Sequence, residues 1–408
     1  MSGPEPVLLP PADWSEREGL KAVLSALDPQ GEGLCRYVGG AVRDTLLGMA
    51  VKDVDIATPL LPEQTMERLK NAGIRVVPTG IDHGTVTAIP DDGPVEITTL
   101  RADVSTDGRR ATVRFSEDWR EDAARRDFTI NALYADPVTR QITDYFGGLG
   151  DLADRHLRFI GDATQRIRED HLRIMRFFRF HARFGSPDPD PEAFAACRDQ
   201  APSLKALSRE RISSELLLLL GMANPLPAAR LMAECGVWPH VLPEMTGDAL
   251  DRLARLLGRE EQKASPADVT LRLASIVPRN PEEATRIGAR LRFSRARTRM
   301  LELLLAEPSP DPDNVREIAY RHGREAALGR TLLFTPDASL DRTFDIASRW
   351  TERRFALNGR DVIAHGLPPG PMISKALVRI EQQWIDEGFP DDDRLSEICR
   401  TIALGMKS

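Results

Sequence analysis

RYVGGAVRDTLLGMAVKDVDIAT, residues 36–58, is the stretch whose reading decides the fold. Tyr37 and Val38 make a short apolar strand that runs into the pair Gly39-Gly40. A helix is expected to open at Ala41, with Arg43 in its first turn and Leu46 and Leu47 behind it. Asp53-Val54-Asp55 then leads into the apolar Ile56. Side chains alternate along a strand, so Asp53 and Asp55 are expected on one face. Two carboxylates so placed can hold a hard cation such as Mg²⁺ through oxygen, usually together with substrate phosphates. The glycines let backbone N–H groups approach a phosphate, and a helix start adds positive potential. Alone, a Gly-Gly before a helix is an ordinary turn and a DxD an ordinary surface strand. Together, at this spacing, they predict a nucleotide-and-metal site.

The chain has 408 residues, enough for two or more domains. Its formal net charge is −7, so a nucleic-acid partner has to meet a local basic surface rather than a basic chain. Cys35, Cys197, Cys235 and Cys399 are scattered without metal-ligand spacing, which fits a reducing compartment. The opening residues lack the basic stretch and apolar core of a signal peptide, and the longest leucine run, 216–220, is far too short to cross a membrane. A cytoplasmic protein with no membrane partner is expected.

An amphipathic helix is expected over 14–27 and another over 62–72, ending at Gly73. Strand-like runs lie at 35–38, 54–57, 74–77, 85–88 and 95–100. After about residue 150 strand patterns nearly vanish and apolar residues recur at helical spacing, as in Leu172, Met175, Phe178 and Phe180. Pro- and Asp-rich stretches at 185–191, 278–283 and 307–314 read as loops, and 367–371 as a tight turn. The expected divisions are a tail and helix (1–30), an α/β head with a small mixed sheet (31–150), a helical neck (151–222) and a helical body and tail (223–408).

GGAVRD, LLG and DVDIAT resemble the first motif of the class II tRNA nucleotidyltransferases, a family of the polymerase β superfamily that contains CCA-adding enzymes and bacterial poly(A) polymerases. RRDFTINAL, residues 125–133, matches a second motif of that family almost letter for letter. GIDHGTVT (80–87), the Gly-rich stretch 145–161, EDHLR (169–173) and SRERISSELLLLL (208–220) resemble further motifs, and 359–377 resembles the family's tail turn. The resemblance implies a five-stranded head followed by helical neck, body and tail. It implies attack of an RNA 3′-hydroxyl on the α-phosphate of CTP or ATP, with tRNA as partner, Mg²⁺ as cofactor, and a monomer or homodimer. Asp53 and Asp55 would hold the metal, with Glu96 as a third acidic residue on a neighbouring strand. Gly39, Gly40 and Arg43 would bind the triphosphate. Arg126 and Asp127 would face the nucleotide while Phe128, Ile130 and Leu133 form core. Asp170 and Arg173 would read the base, supported by Arg176 and Arg179. The polar loop with Asp107, Gly108, Arg109 and Arg110 would serve the switch from C to A addition.

The base-reading role has a physical basis. An ionised Asp only accepts and an Arg only donates. Cytosine and adenine both offer an amino donor beside a ring-nitrogen acceptor, so one Asp/Arg pair satisfies both. Guanine and uracil place a carbonyl where the amino group should be. Residues 165–184 read as one helix, in which Asp170 and Arg173 are neighbours and six arginines need an anionic partner. Several readings compete. Asp170–Arg173 is also what a solvated intrahelical ion pair looks like, Glu96 also fits an edge-strand carboxylate, and His83 in its Gly-flanked turn reads as structural. A poly(A) polymerase or an A-adding or CC-adding specialist shares most of these motifs. A DxD glycosyltransferase would leave RRDFTINAL and EDHLR without a task.

Overall fold

The computed structural model describes residues 6–106 and 111–406. The chain forms two compact units, Met1–Met245 and Thr246–Ser408. The expected tail, head and neck therefore lie in one unit, and the expected body and tail segment divides after residue 245. The loop with Asp107, Gly108, Arg109 and Arg110 lies outside the described residues.

The first unit is built on a seven-stranded mixed sheet in the order β3-β4-β5-β2-β1-β8-β9. Its strands are β1 (Arg36–Val38), β2 (Asp55–Thr58), β3 (Arg75–Gly80), β4 (Thr85–Ile89), β5 (Val95–Thr99), β8 (Leu133–Ala135) and β9 (Ile142–Asp144). β6 (Arg101–Thr106) and β7 (Ala111–Phe115) form a separate hairpin. β2 runs parallel to β5 with Asp55 opposite Glu96, while β1 is antiparallel to both β2 and β8. The expected five strands are thus joined by β8 and β9, each three residues long and too short for a period-2 signal. β2 begins at Asp55, so Asp53 lies before the strand and not on its face, contrary to the alternation argument.

Around the sheet lie α1 (Glu18–Leu27), α2 (Gly40–Leu46), α3 (Pro62–Asn71) and α4 (Trp119–Ala124). The helix expected over 14–27 is interrupted: Asp13–Glu16 is a 3-10 turn, and Arg17 leaves the helix line to donate to Gly93 O at 2.8 Å. α3 starts on Pro62, where a missing N–H costs nothing, and Gln64 accepts from Leu61 N at 2.9 Å.

α5 (Gly148–Ala153), α6 (Ala163–Glu169), α7 (Arg173–Phe184), α8 (Pro191–Gln200), α9 (Arg209–Leu220), α10 (Leu226–Glu234) and α11 (Trp238–Val241) complete the unit. The Gly-rich stretch before α5 is a pinned turn: the Asp144 carboxylate accepts from the backbone N–H of residues 146, 147, 148 and 149. The single helix expected over 165–184 is two helices. Asp170 has extended backbone, and its Oδ1 accepts from Leu172 N at 3.1 Å. Short acidic side chains compete in this way with the helical ladder. α7 buries Ile174, Met175, Phe177, Phe178, Phe180 and Phe184. Phe128 of the RRDFTINAL segment packs into that face, 5.4 Å from Phe180 between ring centroids, and Phe159 stacks on Phe177. Phe128, Ile130 and Leu133 are all buried, as expected. In α9, Leu216, Leu219 and Leu220 are core but Leu218 is 47% exposed, because a five-leucine run covers more than one face of a helix.

The second unit is helical among the described residues: α12 (Ala249–Gln262), α13 (Val269–Ile276), α14 (Pro281–Arg290), α15 (Arg295–Leu304), α16 (Val315–His322), α17 (Arg324–Phe334), α18 (Asp337–Ser348), α19 (Gly359–Ala364), α20 (Met372–Asp386) and α21 (Asp392–Gly405). Half of the loop expected at 278–283 is helix, since Asn280 caps Glu282 N at 2.9 Å and Pro281 takes the first position. Ile380, Trp384, Phe389, Leu395 and Ile398 form the core of the last helices. The four cysteines are buried and unpaired. No described helix is long and apolar enough to cross a membrane.

Candidate active site

A cleft of about 620 Å³ opens in the first unit at the end of β1. Gly39 follows β1 with φ 68°, a left-handed conformation that a side chain disfavours, and this bend starts α2 at Gly40. Gly39, Gly40 and Arg43 line the cleft, as do Asp53 and Asp55 from the start of β2. Arg126, Asp127 and Asn131 come from the RRDFTINAL segment, and Asp170, Arg173, Arg176 and Arg179 from the α6–α7 break and α7. Of the residues expected from sequence, Glu96 is the one that does not line it. Glu96 is exposed beside Asp55 on β5.

The acidic corner is electrostatically loaded. Burial pushes the Asp55 carboxyl up to about 6, the Glu96 charge pushes the same way, Arg126 opposes and Asp53 adds a little. A carboxylate with carboxylate neighbours is stabilised in its charged form by a bound cation. Among the described residues no group of three or more His, Cys, Asp or Glu is gathered as a metal site. Asp53 and Asp55 alone still fit Mg²⁺, which is commonly held by one or two carboxylates with substrate phosphates supplying further oxygens.

The arginines of the cleft are braced from behind. Arg126 donates to Tyr134 Oη at 3.2 Å and to Asp122 Oδ2 at 3.1 Å. Asp122 also holds Arg125 through Oδ1 and accepts from Tyr134 Oη at 2.6 Å. Burial alone would raise the Asp122 carboxyl, but Arg126, Arg125 and Tyr134 hold it down at about 2. Asp127 Oδ1 accepts from Phe128 N and Asn131 Nδ2, and Oδ2 accepts from Arg176 at 2.7 Å. Burial would raise the Asp127 carboxyl as well, and the Arg176 charge with these bonds brings it below the usual carboxylate range. Arg43 is only 4% exposed. It pairs with Asp44, bonds Asn131 Oδ1 and lies over Phe184 at 4.3 Å.

Asp170 and Arg173 reach the same cleft, and Arg173 N donates to Asp170 O at 3.0 Å, but their side chains do not pair, which corrects the picture of an ion pair on one helix face. Asp170 Oδ2 accepts from Arg211 of α9 at 2.7 Å. Arg173 Nη1 donates to Arg166 O and Glu169 Oε2, and its Nη2 donates to Arg125 O at 3.0 Å. Arg173, Arg176 and Arg179 do continue one face, at i, i+3 and i+6. Their anionic partners are internal: Glu169 for Arg173, Asp127 for Arg176, Glu215 for Arg179, and Asp44 for Arg183. Seven arginines and four aspartates line the cleft, so guanidinium groups outnumber carboxylates on the lining itself, while the bracing carboxylates Asp44, Asp122, Glu169 and Glu215 stand behind it.

Sequence reading passed over Asp122, Asn131 and Glu215. Asp122 could have been found, since it stands three and four residues before Arg125 and Arg126 on α4. Glu215 offers no such local signal, because it meets α7 only in three dimensions. His83 is exposed and lies in a 3-10 turn outside the cleft, with its carbonyl accepting from Arg101.

Comparison with known proteins agrees with this geometry. A family model described as the poly A polymerase head domain matches residues 35–158. A second, described as a probable RNA and SrmB-binding site of polymerase A, matches residues 188–248. The mitochondrial CCA tRNA nucleotidyltransferase 1 of Mus musculus is 34% identical over 402 residues, covering 94% of this chain and 90% of that protein. The CCA-adding enzyme of Levilactobacillus brevis is 31% identical over 390 residues, covering 92% and 96%. Among solved structures, the Bacillus stearothermophilus CCA-adding enzyme in complex with CTP superposes with a TM-score of 0.77 at 26% identity, over 96% of this chain and 99% of that one. With a polymerase-type head, a braced arginine cleft and relatives matched over nearly their whole length, the chain belongs to the CCA-adding tRNA nucleotidyltransferase family.

Proposed function

We propose that this chain adds the 3′-terminal CCA to tRNA from CTP and ATP, by Mg²⁺-dependent nucleotidyl transfer without a nucleic-acid template. The observation that carries the reading is convergence. The Gly-Gly bend, the two aspartates, the Arg126–Asp127 segment and the Asp170–Arg173 corner come from distant parts of the sequence and line one cleft. The family leaves the sugar-transferase alternative without support.

In this reading Gly39 and Gly40 give the triphosphate access to backbone, and Arg126, fixed by Asp122 and Tyr134, neutralises its charge. Preorganised cations of this kind act on the charge that develops as pyrophosphate leaves. Asp53 and Asp55 would hold Mg²⁺, which supplies activation of the attacking hydroxyl and charge neutralisation on the leaving group. Each carboxylate oxygen of Asp170 has two lone pairs, so after Arg211 and Leu172 N it still accepts from the amino group of cytosine or adenine. Arg173 keeps Nε and part of Nη2 for the ring nitrogen. Asp127 and Glu215 hold Arg176 and Arg179 in place around that corner. Four buried, unpaired cysteines fit a reducing compartment such as the cytoplasm.

The test is transfer of labelled CMP from CTP to a tRNA lacking its terminal CCA, with Mg²⁺ and with a chelator. Label incorporated with Mg²⁺ and lost with chelator supports the reading. No incorporation into tRNA under either condition overturns it.

A further inference from the structure

One buried carboxylate joins the arginine at the Gly-Gly bend to the far end of α7. Asp44 follows Arg43 on α2, and both are buried. Asp44 Oδ1 accepts from Arg43 Nε at 2.8 Å and lies 2.7 Å from Arg43 Nη2. Its Oδ2 accepts from Arg183 Nη2 at 3.0 Å. Arg183 stands ten residues after Arg173 on α7, about 15 Å along the axis. Arg43 and Arg173 line the cleft, whereas Asp44 and Arg183 stand behind that lining.

A second path runs from Arg43 to the same helix. Arg43 Nη1 donates to Asn131 Oδ1, Asn131 Nδ2 donates to Asp127 Oδ1 at 3.0 Å, and Asp127 Oδ2 accepts from Arg176 at 2.7 Å. Arg176 and Arg183 are about two turns apart on α7, so the two paths close into one circuit. Its members lie over the rings of Phe180 and Phe184: Arg43 over Phe184 at 4.3 Å, Arg176 over Phe180 at 5.3 Å and Arg183 over Phe184 at 4.8 Å. Burial pulls the Arg43 guanidinium below its usual range, Asp44 opposes that, and the Arg183 charge adds to it. The two arginines thus face each other across Asp44, and loss of the carboxylate leaves like charges opposed.

We propose that Asp44 and Arg183 are positioning residues that hold the triphosphate end of the cleft and its base-reading corner at a fixed separation, an assignment that rests on the nucleotidyl-transfer function above. Arg173 and Arg176 tie the start of α7 to Arg125 O and Asp127. A helix tied at one end pivots there, and the Arg183–Asp44 contact ties the other end to α2. A nucleotide whose phosphates engage Arg43 then brings its base to Asp170 and Arg173 at one distance. Choice between cytosine and uracil rests on hydrogen bonds that weaken steeply with geometry, and a misplacement of about 1 Å costs on the order of 10²-fold in rate. The Arg183 side chain is 30% exposed, so the contact adds little to stability and acts on the reaction instead.

The experiment uses the full chain with Arg183→Gln, Arg183→Lys, Asp44→Asn and the Asp44→Asn/Arg183→Gln double variant. Arg198→Gln on α8, which removes an exposed ion pair with Asp199, is the control. Single-nucleotide incorporation into a tRNA lacking its CCA gives kcat and KM for CTP and for UTP, with the melting temperature in parallel. Arg183→Gln is expected to raise KM for CTP about 5- to 10-fold and to narrow the CTP:UTP ratio of kcat/KM by roughly the same factor, with melting near wild type. Arg183→Lys keeps the charge and should restore most of both. Asp44→Asn should lose more, and adding Arg183→Gln to it should cost nothing further, because the two act through one contact. Unchanged KM and ratio in Arg183→Gln, added losses in the double variant, or an equal change in Arg198→Gln overturns the assignment while wild type still incorporates CMP. If Asp44→Asn does not fold, the two Arg183 variants decide. A wild-type chain that incorporates neither nucleotide overturns the function, and the assignment with it.

Discussion

Replacing Asp170 by Ala should weaken the choice of CTP and ATP over UTP and GTP while transfer survives. Asp170 Oδ2 accepts from Arg211 at 2.7 Å and Oδ1 from Leu172 N at 3.1 Å, which fixes the carboxylate at the edge of the cleft. In the proposed role the amino group of cytosine or adenine would add a charge-assisted bond worth roughly 1.5–3 kcal/mol, about one to two decades of discrimination. Alanine removes that bond and also removes the acceptor–acceptor clash that excludes uracil and guanine, so the gap closes from both sides. The fold should tolerate the change. Asp170 and Arg211 are both partly solvated, with side chains 30% and 43% exposed, and such a pair contributes under about 1 kcal/mol. Arg173→Ala should damage selection with a larger loss of rate, because Arg173 also ties α7 to Glu169 and to the carbonyls of Arg125 and Arg166. The assay is single-nucleotide incorporation with each of the four triphosphates, wild type against variant. A CTP:UTP ratio unchanged in Asp170→Ala would show that the carboxylate makes only a surface ion pair and reads nothing.

Two further outcomes follow from the same site. Asp53→Ala or Asp55→Ala should abolish nucleotide transfer with the fold intact, and near-normal turnover with Mg²⁺ in either variant would remove both from metal binding. Asp122→Asn should cost about 2–3 kcal/mol at pH 7, since the carboxyl is held at about 2 against an ordinary 3.8 and each unit is worth about 1.4 kcal/mol. The folded value is depressed, so that stability is present above about pH 4 and lost as pH falls toward 2. Urea unfolding at pH 7 and pH 3 checks it, and a gap between variant and wild type that stays constant would contradict the sign.

Local sequence carried the parts of this site whose chemistry is local. The Gly-Gly bend follows from neighbours in the chain, and the burial of Phe128, Ile130 and Leu133 is what the resemblance of RRDFTINAL implies. Where a side chain competed with the backbone, periodicity misled. Asp170 bonds Leu172 N and splits one expected helix into two. The Asp170 carboxylate then pairs with Arg211, forty-one residues away, and not with the Arg173 guanidinium. The anions that satisfy α7 were invisible for a related reason. Asp127 is forty-nine residues from Arg176, and Glu215 thirty-six from Arg179, so only the packed neck brings them together. β8 and β9 escaped because three residues carry too little pattern, although β8 is what flanks β1 and supports Gly39, whose N–H donates to Leu133 O at 3.2 Å.

In the proposed function the protein cleft itself selects C and then A and stops. It is tested most directly by giving the full chain a tRNA that ends before its CCA, all four nucleoside triphosphates and Mg²⁺, and sequencing the product ends. Two C followed by one A are expected, with no further growth on prolonged incubation. Long A-tails, a clean stop after CC, or incorporation of U or G at the rate of C would contradict it.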